Sequence, residues 1–149
     1  MQLDKLQDII AFAISKEEEA IAFYQDLADK ADSEAMKTEL LKIKGMEERH
    51  RERLMNFSIG DMLTDPWQVQ DLGISKYVVE TVPGPDMTFK DIINIAMHRE
   101  NAAMDLYLDL AKLVNDDMAR RMFETLASEE KAHKLYFETL WDTGVLQEN

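Results

Sequence analysis

The strongest constraint on the fold is an internal repeat, in which residues 8–50 match residues 91–133 without a gap. The two segments are offset by 83 residues and share 12 identical positions. Two short motifs recur in one register, Tyr-x-Asp-Leu-Ala at Tyr24 and Tyr107 and Glu-x-x-His at Glu47 and Glu130. Helices of similar composition share a few identities by chance, but not two motifs in register, so the sequence contains one structural unit twice.

Each repeat has the periodicity of two amphipathic helices. Polar breaks at residues 32–33 and 115–117 supply side chains that cap helix N-termini, and Thr88 with Asp91 forms a variant capping box. Around these breaks, apolar residues recur at steps of three and four: Leu3, Leu6, Ile10, Ala13 and Ile14 in the first half, and Phe89, Ile93, Ala96 and Met97 in the second. The sequence therefore predicts an all-α protein with four long helices, arranged as helical hairpins over about 3–59 and 86–143.

A Gly- and Pro-rich connector separates the two predicted hairpins. Six of the eight Gly and Pro residues lie between Gly60 and Pro85. This connector is far longer than a tight turn, so residues 60–85 are predicted to cross over along the bundle, with Trp67, Tyr77 and Val78 packed against it as a cover. The predicted architecture is one domain, 1–149, an antiparallel four-helix bundle of two repeated hairpins joined by a long crossover.

Composition narrows the classes of partner. The formal net charge is −13, which is the wrong sign for binding nucleic acid or an anionic membrane surface. The longest apolar run, Ile9–Ile14, has six residues and is far too short to span a bilayer. Charged residues at Asp4, Lys5 and Asp8 replace the apolar stretch of an export signal, so a cytoplasmic location is expected. Because the sequence has no cysteine, any metal must be bound by oxygen and nitrogen.

Six polar residues occupy core-facing positions of the predicted helices: Glu17, Glu47, His50, Glu100, Glu130 and His133. Their heights agree, because Glu17 and Glu47 each lie 15 residues from position 32, the first interhelical turn. Glu100 and Glu130 each lie 15 residues from position 115, the second turn. At about 1.5 Å per residue, each pair sits at one level, about 22 Å from its turn. The hairpins therefore bring four carboxylates and two imidazoles to one layer.

Four buried carboxylates need more compensation than two histidines provide, since each unpaired carboxylate in an apolar core costs several kcal/mol or must bind a proton. Two divalent metal ions would supply that compensation. Oxygen-rich ligation with one imidazole per metal suits iron or manganese better than a tetrahedral structural zinc, although affinity alone leaves zinc open. One Glu from each of two helices and a Glu-x-x-His from each of the other two is the ligand pattern of dinuclear carboxylate bundles.

Other readings of these residues remain open. One Glu-x-x-His in an acidic helical protein is commonly a solvated pair, and the neighbouring acids Glu18, Glu19, Glu48 and Glu129 are rival ligands. The repeat favours the chosen set, because the counterparts of these rivals are Asn101, Ala102, Lys131 and Met46. Tyr24 and Tyr107 lie two turns from Glu17 and Glu100, either as hydrogen-bonding or electron-relay groups near the ligands or as ordinary core aromatics. His98 falls on the opposite face and is predicted to be a surface residue.

The sequence resembles the rubrerythrin-like branch of the ferritin-like superfamily, in particular its short members without a rubredoxin domain. The resemblance rests on Glu17-x-x-Ala20-x-x-Phe23-Tyr24 with Glu47-x-x-His50, and on Glu100-x-x-Ala103-x-x-Leu106-Tyr107 with Glu130-x-x-His133. It implies a ferritin-like bundle that holds two iron ions, with manganese or zinc as possible substitutes. It also implies roles: Glu47 and Glu130 bridge the irons, Glu17 and Glu100 are terminal ligands, and His50 and His133 bind one iron each.

Two departures limit what the resemblance implies. Rubrerythrins have a further glutamate one turn after the ligand of the third helix, and Ala103 stands there in this sequence. They also carry a cysteine-ligated iron domain, so in this protein electrons are expected from a separate, rubredoxin-like donor. The implied activity is reduction of hydrogen peroxide or dioxygen under oxidative stress, and the expected assembly is a homodimer. The alternatives are a ferroxidase that handles iron and a bundle that binds metal without catalysis.

Overall fold

Four α-helices and one short π-helical segment account for the described part of the chain. The computed structural model describes residues 6–57, 88–114 and 116–144. The elements, in chain order, are α1 (Leu6–Asp29), α2 (Glu34–Asn56), α3 (Phe89–Leu113), α4 (Asp117–Thr139) and a π-helical turn (Leu140–Gly144). The chain divides into two compact units, Met1–Leu72 with the first hairpin and Gly73–Asn149 with the second. The predicted crossover, with Trp67, Tyr77 and Val78, lies outside the described residues.

The first hairpin packs α1 against α2. Ser33 caps α2, because its hydroxyl accepts a hydrogen bond from the Met36 amide at 3.1 Å. The helices run antiparallel, since Lys44 donates to Gln25 at 2.7 Å and Arg51 lies 3.9 Å from Glu18 further along the pair. The buried apolar residues of this hairpin include Ile10, Ala13, Tyr24, Leu27 and Ala28 from α1, and Leu40, Ile43 and Leu54 from α2.

The second hairpin packs α3 against α4 and begins with the predicted capping box. The Thr88 hydroxyl accepts from the Asp91 amide at 3.1 Å, and the Asp91 carboxylate accepts from the Thr88 amide at 3.1 Å. Asp116 caps α4 through the Ala119 amide at 2.8 Å. The rings of Tyr107 and Phe123 stack with centroids 6.3 Å apart. Other buried apolar residues of this hairpin are Ile93, Leu106, Leu110, Leu126 and Phe137.

The π-helical turn at the end of α4 has no counterpart among the sequence predictions. It contains Trp141, whose ring lies 4.6 Å from the Lys90 ammonium in the first turn of α3. A cation placed over an indole face is attracted by the ring quadrupole. This contact fastens the end of α4 to the beginning of α3.

None of the helices in the described ranges is long and apolar enough to cross a membrane.

Gly45 lies inside α2, where the sequence gives no reason for a glycine. A Cβ built on it meets the Arg49 side chain at 3.8 Å, an ordinary van der Waals contact, among the described residues. Gly45→Ala should therefore stabilise the protein by about 0.5–1 kcal/mol, because alanine lowers the backbone entropy of the unfolded chain. Urea unfolding of both proteins measures the difference.

The matched control for Gly45 is Ala132→Gly, an exposed position inside α4. This substitution should destabilise the protein by about the same 0.5–1 kcal/mol. A Gly45→Ala protein that is less stable than the parent would show that the glycine backbone is needed for close packing.

Candidate metal centre

The first hairpin holds three of the predicted ligands in one buried cluster, here called triad 1: Glu17, Glu47 and His50. Glu17 comes from α1, and Glu47 and His50 come from neighbouring turns of α2, where the i, i+3 spacing puts both on one face. Their relative exposures are 2%, 1% and 1%. The three side chains thus meet inside the first hairpin at the level that equal distances from its turn predict.

The atoms of triad 1 that face one another are two carboxylate oxygens and one imidazole nitrogen. His50 Nδ1 lies 3.4 Å from Glu47 Oε1 and 3.7 Å from Glu17 Oε2. One ligand atom from each of the three residues lies within 4.8 Å of the others. Two carboxylates and one imidazole around so small a space leave an excess of negative charge, which a divalent cation offsets.

The second hairpin repeats this arrangement in triad 2: Glu100, Glu130 and His133. His133 Nδ1 lies 3.6 Å from Glu130 Oε1 and 3.6 Å from Glu100 Oε2. Glu100 and Glu130 are each 1% exposed, and His133 is 6% exposed. The side chain of His133 is 8% exposed, against 1% for that of His50, so triad 2 is the more open of the two.

The distances within each triad suit metal ligands. They run from 3.4 to 3.7 Å, longer than the usual hydrogen-bond range of about 2.7–3.2 Å. With metal–ligand bonds of about 2.1 Å, two ligands of one ion lie about 3.0–3.6 Å apart, so the distances in the triads lie in the upper part of this range or just above it. Each triad therefore fits a single divalent ion and leaves coordination positions open for further ligands.

Polar contacts just beyond the ligands link the two helices of each hairpin. Arg51 follows His50 and lies 3.9 Å from Glu18, which follows Glu17. At the equivalent positions of the second hairpin, Lys134 donates to Asn101 at 3.0 Å. From the sequence Glu18 is expected only as a rival ligand, and these contacts are not predicted. The repeat could have indicated these contacts, because each of the four residues directly follows a predicted ligand at equivalent positions of the two hairpins.

The rival carboxylates do not join a candidate metal cluster in the described ranges. Glu18, Glu19 and Glu48 are exposed, and Glu19 pairs with Lys16 at 3.1 Å. Glu129 is half-buried, yet it belongs to neither potential ligand group found among the described residues. His98 is exposed, as its position in the helix predicts.

Tyr24 and Tyr107 are buried at 0% and 1% exposure. Tyr24 meets the ring of Phe23 edge-on at 5.1 Å, and Tyr107 stacks on Phe123. These contacts place both rings in the core of their hairpins. A hydrogen bond from either hydroxyl to a ligand, or an electron relay through the ring, stays a prediction.

Comparison with known structures defines the fold class. A structure described as a ferritin-like diiron-carboxylate protein, from Thermotoga maritima, matches with a TM-score of 0.75 at 21% identity, over 97% of this chain and 99% of that one. A hypothetical protein from Pyrococcus furiosus matches with a TM-score of 0.69 at 23% identity, over 90% of this chain and 86% of that one. The predicted all-α, ferritin-like four-helix bundle is thereby confirmed.

The sequence itself identifies the family. The rubrerythrin family model matches residues 8–141, so the chain belongs to the rubrerythrin family, as its motifs predict. No curated protein matches the sequence.

Proposed function

We propose that triads 1 and 2 together bind two iron ions and that the protein is a non-haem di-iron oxidoreductase that reduces hydrogen peroxide. The observation that supports this most is the buried pair of equivalent triads, each with two carboxylates and one imidazole, in a chain of the rubrerythrin family. The similarity to a structure described as a diiron-carboxylate protein favours iron over manganese or zinc.

We assign the ligand roles that the resemblance to rubrerythrins implies. On that resemblance Glu47 and Glu130 would bridge the two irons, and each shares a helix face with an imidazole, that of His50 or His133. Glu17 and Glu100, which come from the facing helices α1 and α3, are assigned as terminal ligands. Each iron then has one imidazole and an oxygen-rich remainder, which suits Fe²⁺ and Fe³⁺.

When bound, a di-ferrous centre would supply two electrons, with which one hydrogen peroxide and two protons would give two water molecules and both irons would become ferric. The protein's part is electrostatic and steric. Its four buried carboxylates stabilise the more highly charged ferric pair, and the apolar residues of each hairpin keep bulk water from the ligands. Tyr24 and Tyr107 are assigned to the surroundings of this centre, where a phenol can donate a hydrogen bond to a ligand carboxylate.

Electrons must return to the ferric centre from elsewhere. The sequence has no cysteine with which to bind a thiolate-ligated iron of its own. We therefore propose a separate rubredoxin-like donor protein. The formal charge of −13 favours approach through a basic patch on that donor, and it disfavours nucleic acid and anionic membrane surfaces as partners. A cytoplasmic homodimer is the form in which we expect the enzyme to act.

Rapid-mixing absorption spectroscopy of the di-ferrous protein tests the proposed oxidant. Hydrogen peroxide should oxidise the centre about tenfold or more faster than an equal concentration of dioxygen, which corresponds to a barrier lower by about 1.4 kcal/mol. Equal or slower oxidation by peroxide would contradict the peroxidase assignment. Repeated turnover of added ferrous iron with growth of a mineral core would identify an iron-handling protein instead.

A further inference from the structure

Two methionines flank triad 2 on α3. Met97 lies three residues before Glu100 and Met104 four residues after it, so all three share one face of the helix at successive turns. Both methionines are half-buried, whereas Glu100 is buried. The two methionines therefore lie at the edge of the ligand face, each with part of its surface exposed.

The first hairpin has no thioether at the equivalent places. The repeat puts Ile14 and Ile21 where the second hairpin has Met97 and Met104, and both isoleucines are half-buried as well. Isoleucine and methionine fill similar volumes in a core, so packing alone does not account for the difference. The methionines also belong to the hairpin with the more open triad, in which the His133 side chain is 8% exposed against 1% for His50.

A thioether differs from an isoleucine chain in its chemistry toward peroxide. Hydrogen peroxide transfers one oxygen atom to methionine: a sulfur–oxygen bond forms, the oxygen–oxygen bond breaks, the sulfur loses two electrons, and the second oxygen leaves as water. Solvent exposure normally sets the order in which methionines react. Among the methionines that the structure describes, exposure alone would make Met118 and Met55 the first to react, at 78% and 63% exposed.

We propose that Met97 and Met104 are the preferred oxidation sites of this protein when peroxide reaches the metal centre without an electron donor. The inference rests on the proposed function, because it requires that the centre draws peroxide to triad 2. Peroxide held there meets the two thioethers at the edge of the ligand face before it meets the surface methionines. Each sulfoxide then places a polar group beside Glu100, in reversible form, since methionine sulfoxide can be reduced again.

Peptide mass spectrometry after brief exposure to limiting peroxide tests this inference. In iron-loaded protein without reductant, sulfoxide at Met97 and Met104 should exceed that at Met55 and Met118 by about threefold or more. In metal-free protein the ratio should fall below one, because exposure alone then sets the order. An unchanged order in the two forms would overturn the inference.

The double variant Met97→Ile with Met104→Ile gives the second hairpin the residues of the first. The variant should keep its iron and lose the rapid formation of methionine sulfoxide on α3, while the slow oxidation of Met55 and Met118 continues. If peroxide oxidises the bound iron but Met55 and Met118 are still the first methionines to react, the inference is wrong and the proposed function stands. If the protein binds no iron or its iron does not react with peroxide, both are wrong.

Discussion

Glu47→Ala should lower the iron content of the purified protein from about two ions per chain to less than about half an ion. Glu47 is 1% exposed and lies 3.4 Å from His50 Nδ1, and in the proposed site it binds both irons. Substitutions in the layer around metal ligands already cost about 10–100-fold in affinity, so loss of a bridging ligand should cost more. Elemental analysis after exhaustive dialysis measures the content.

Glu48→Ala is the matched control for this substitution. Glu48 is the next residue of α2, it is exposed, and its counterpart in the second repeat is Lys131. Its removal should leave both irons in place. Should Glu47→Ala keep two irons and react with peroxide at the rate of the parent, the assignment of Glu47 as a bridging ligand would be wrong.

Glu47→Gln should change protein stability in opposite directions with and without metal. In metal-free protein, a neutral amide removes one of two buried carboxylates that face a single imidazole in triad 1. The free energy of unfolding of the metal-free protein should therefore rise by about 1–3 kcal/mol, which corresponds to a melting temperature higher by about 3–9 °C. In iron-loaded protein the variant loses the stabilisation due to metal, about 4 kcal/mol when free metal is 1,000 times its dissociation constant. Thermal unfolding at neutral pH, with iron under anaerobic conditions and with chelator, measures both.

Glu18→Gln is the control for this reversal. The Glu18 side chain is 57% exposed and its ion pair with Arg51 is 3.9 Å long, so its loss should change stability by less than about 0.5 kcal/mol in either form. A Glu47→Gln protein that is destabilised equally with and without metal would mean that Glu47 is held by ordinary polar contacts and not by a metal.

The triads were predictable because helix geometry is regular over long distances. Ser33 and Asp116 cap the second helix of each hairpin through local hydrogen bonds that depend only on the neighbouring sequence. From those caps onward, a constant rise per residue brings Glu17 level with Glu47, and Glu100 level with Glu130. Each triad accordingly forms within its hairpin where equal spacing from the turn predicts.

Other details depend on rotamers and packing that no periodic pattern encodes. The i, i+3 spacing brings His50 beside Glu47 but does not say that Nδ1, and not Nε2, faces the carboxylates. The π-helical turn is similar, because its sequence also suits an ordinary helix end. In the structure Trp141 of this turn contacts Lys90, which lies 51 residues away in the chain, and no local pattern encodes such a contact.

The sequence separation of the ligands has a consequence for the order of folding and metal binding. Each triad is complete within 34 residues, 17–50 or 100–133, on two helices that pack directly together. The entropy lost in fixing the three side chains of a triad is lost when its hairpin closes. An incoming ion then meets donors that are already in place, so its binding energy is not spent on ordering the chain.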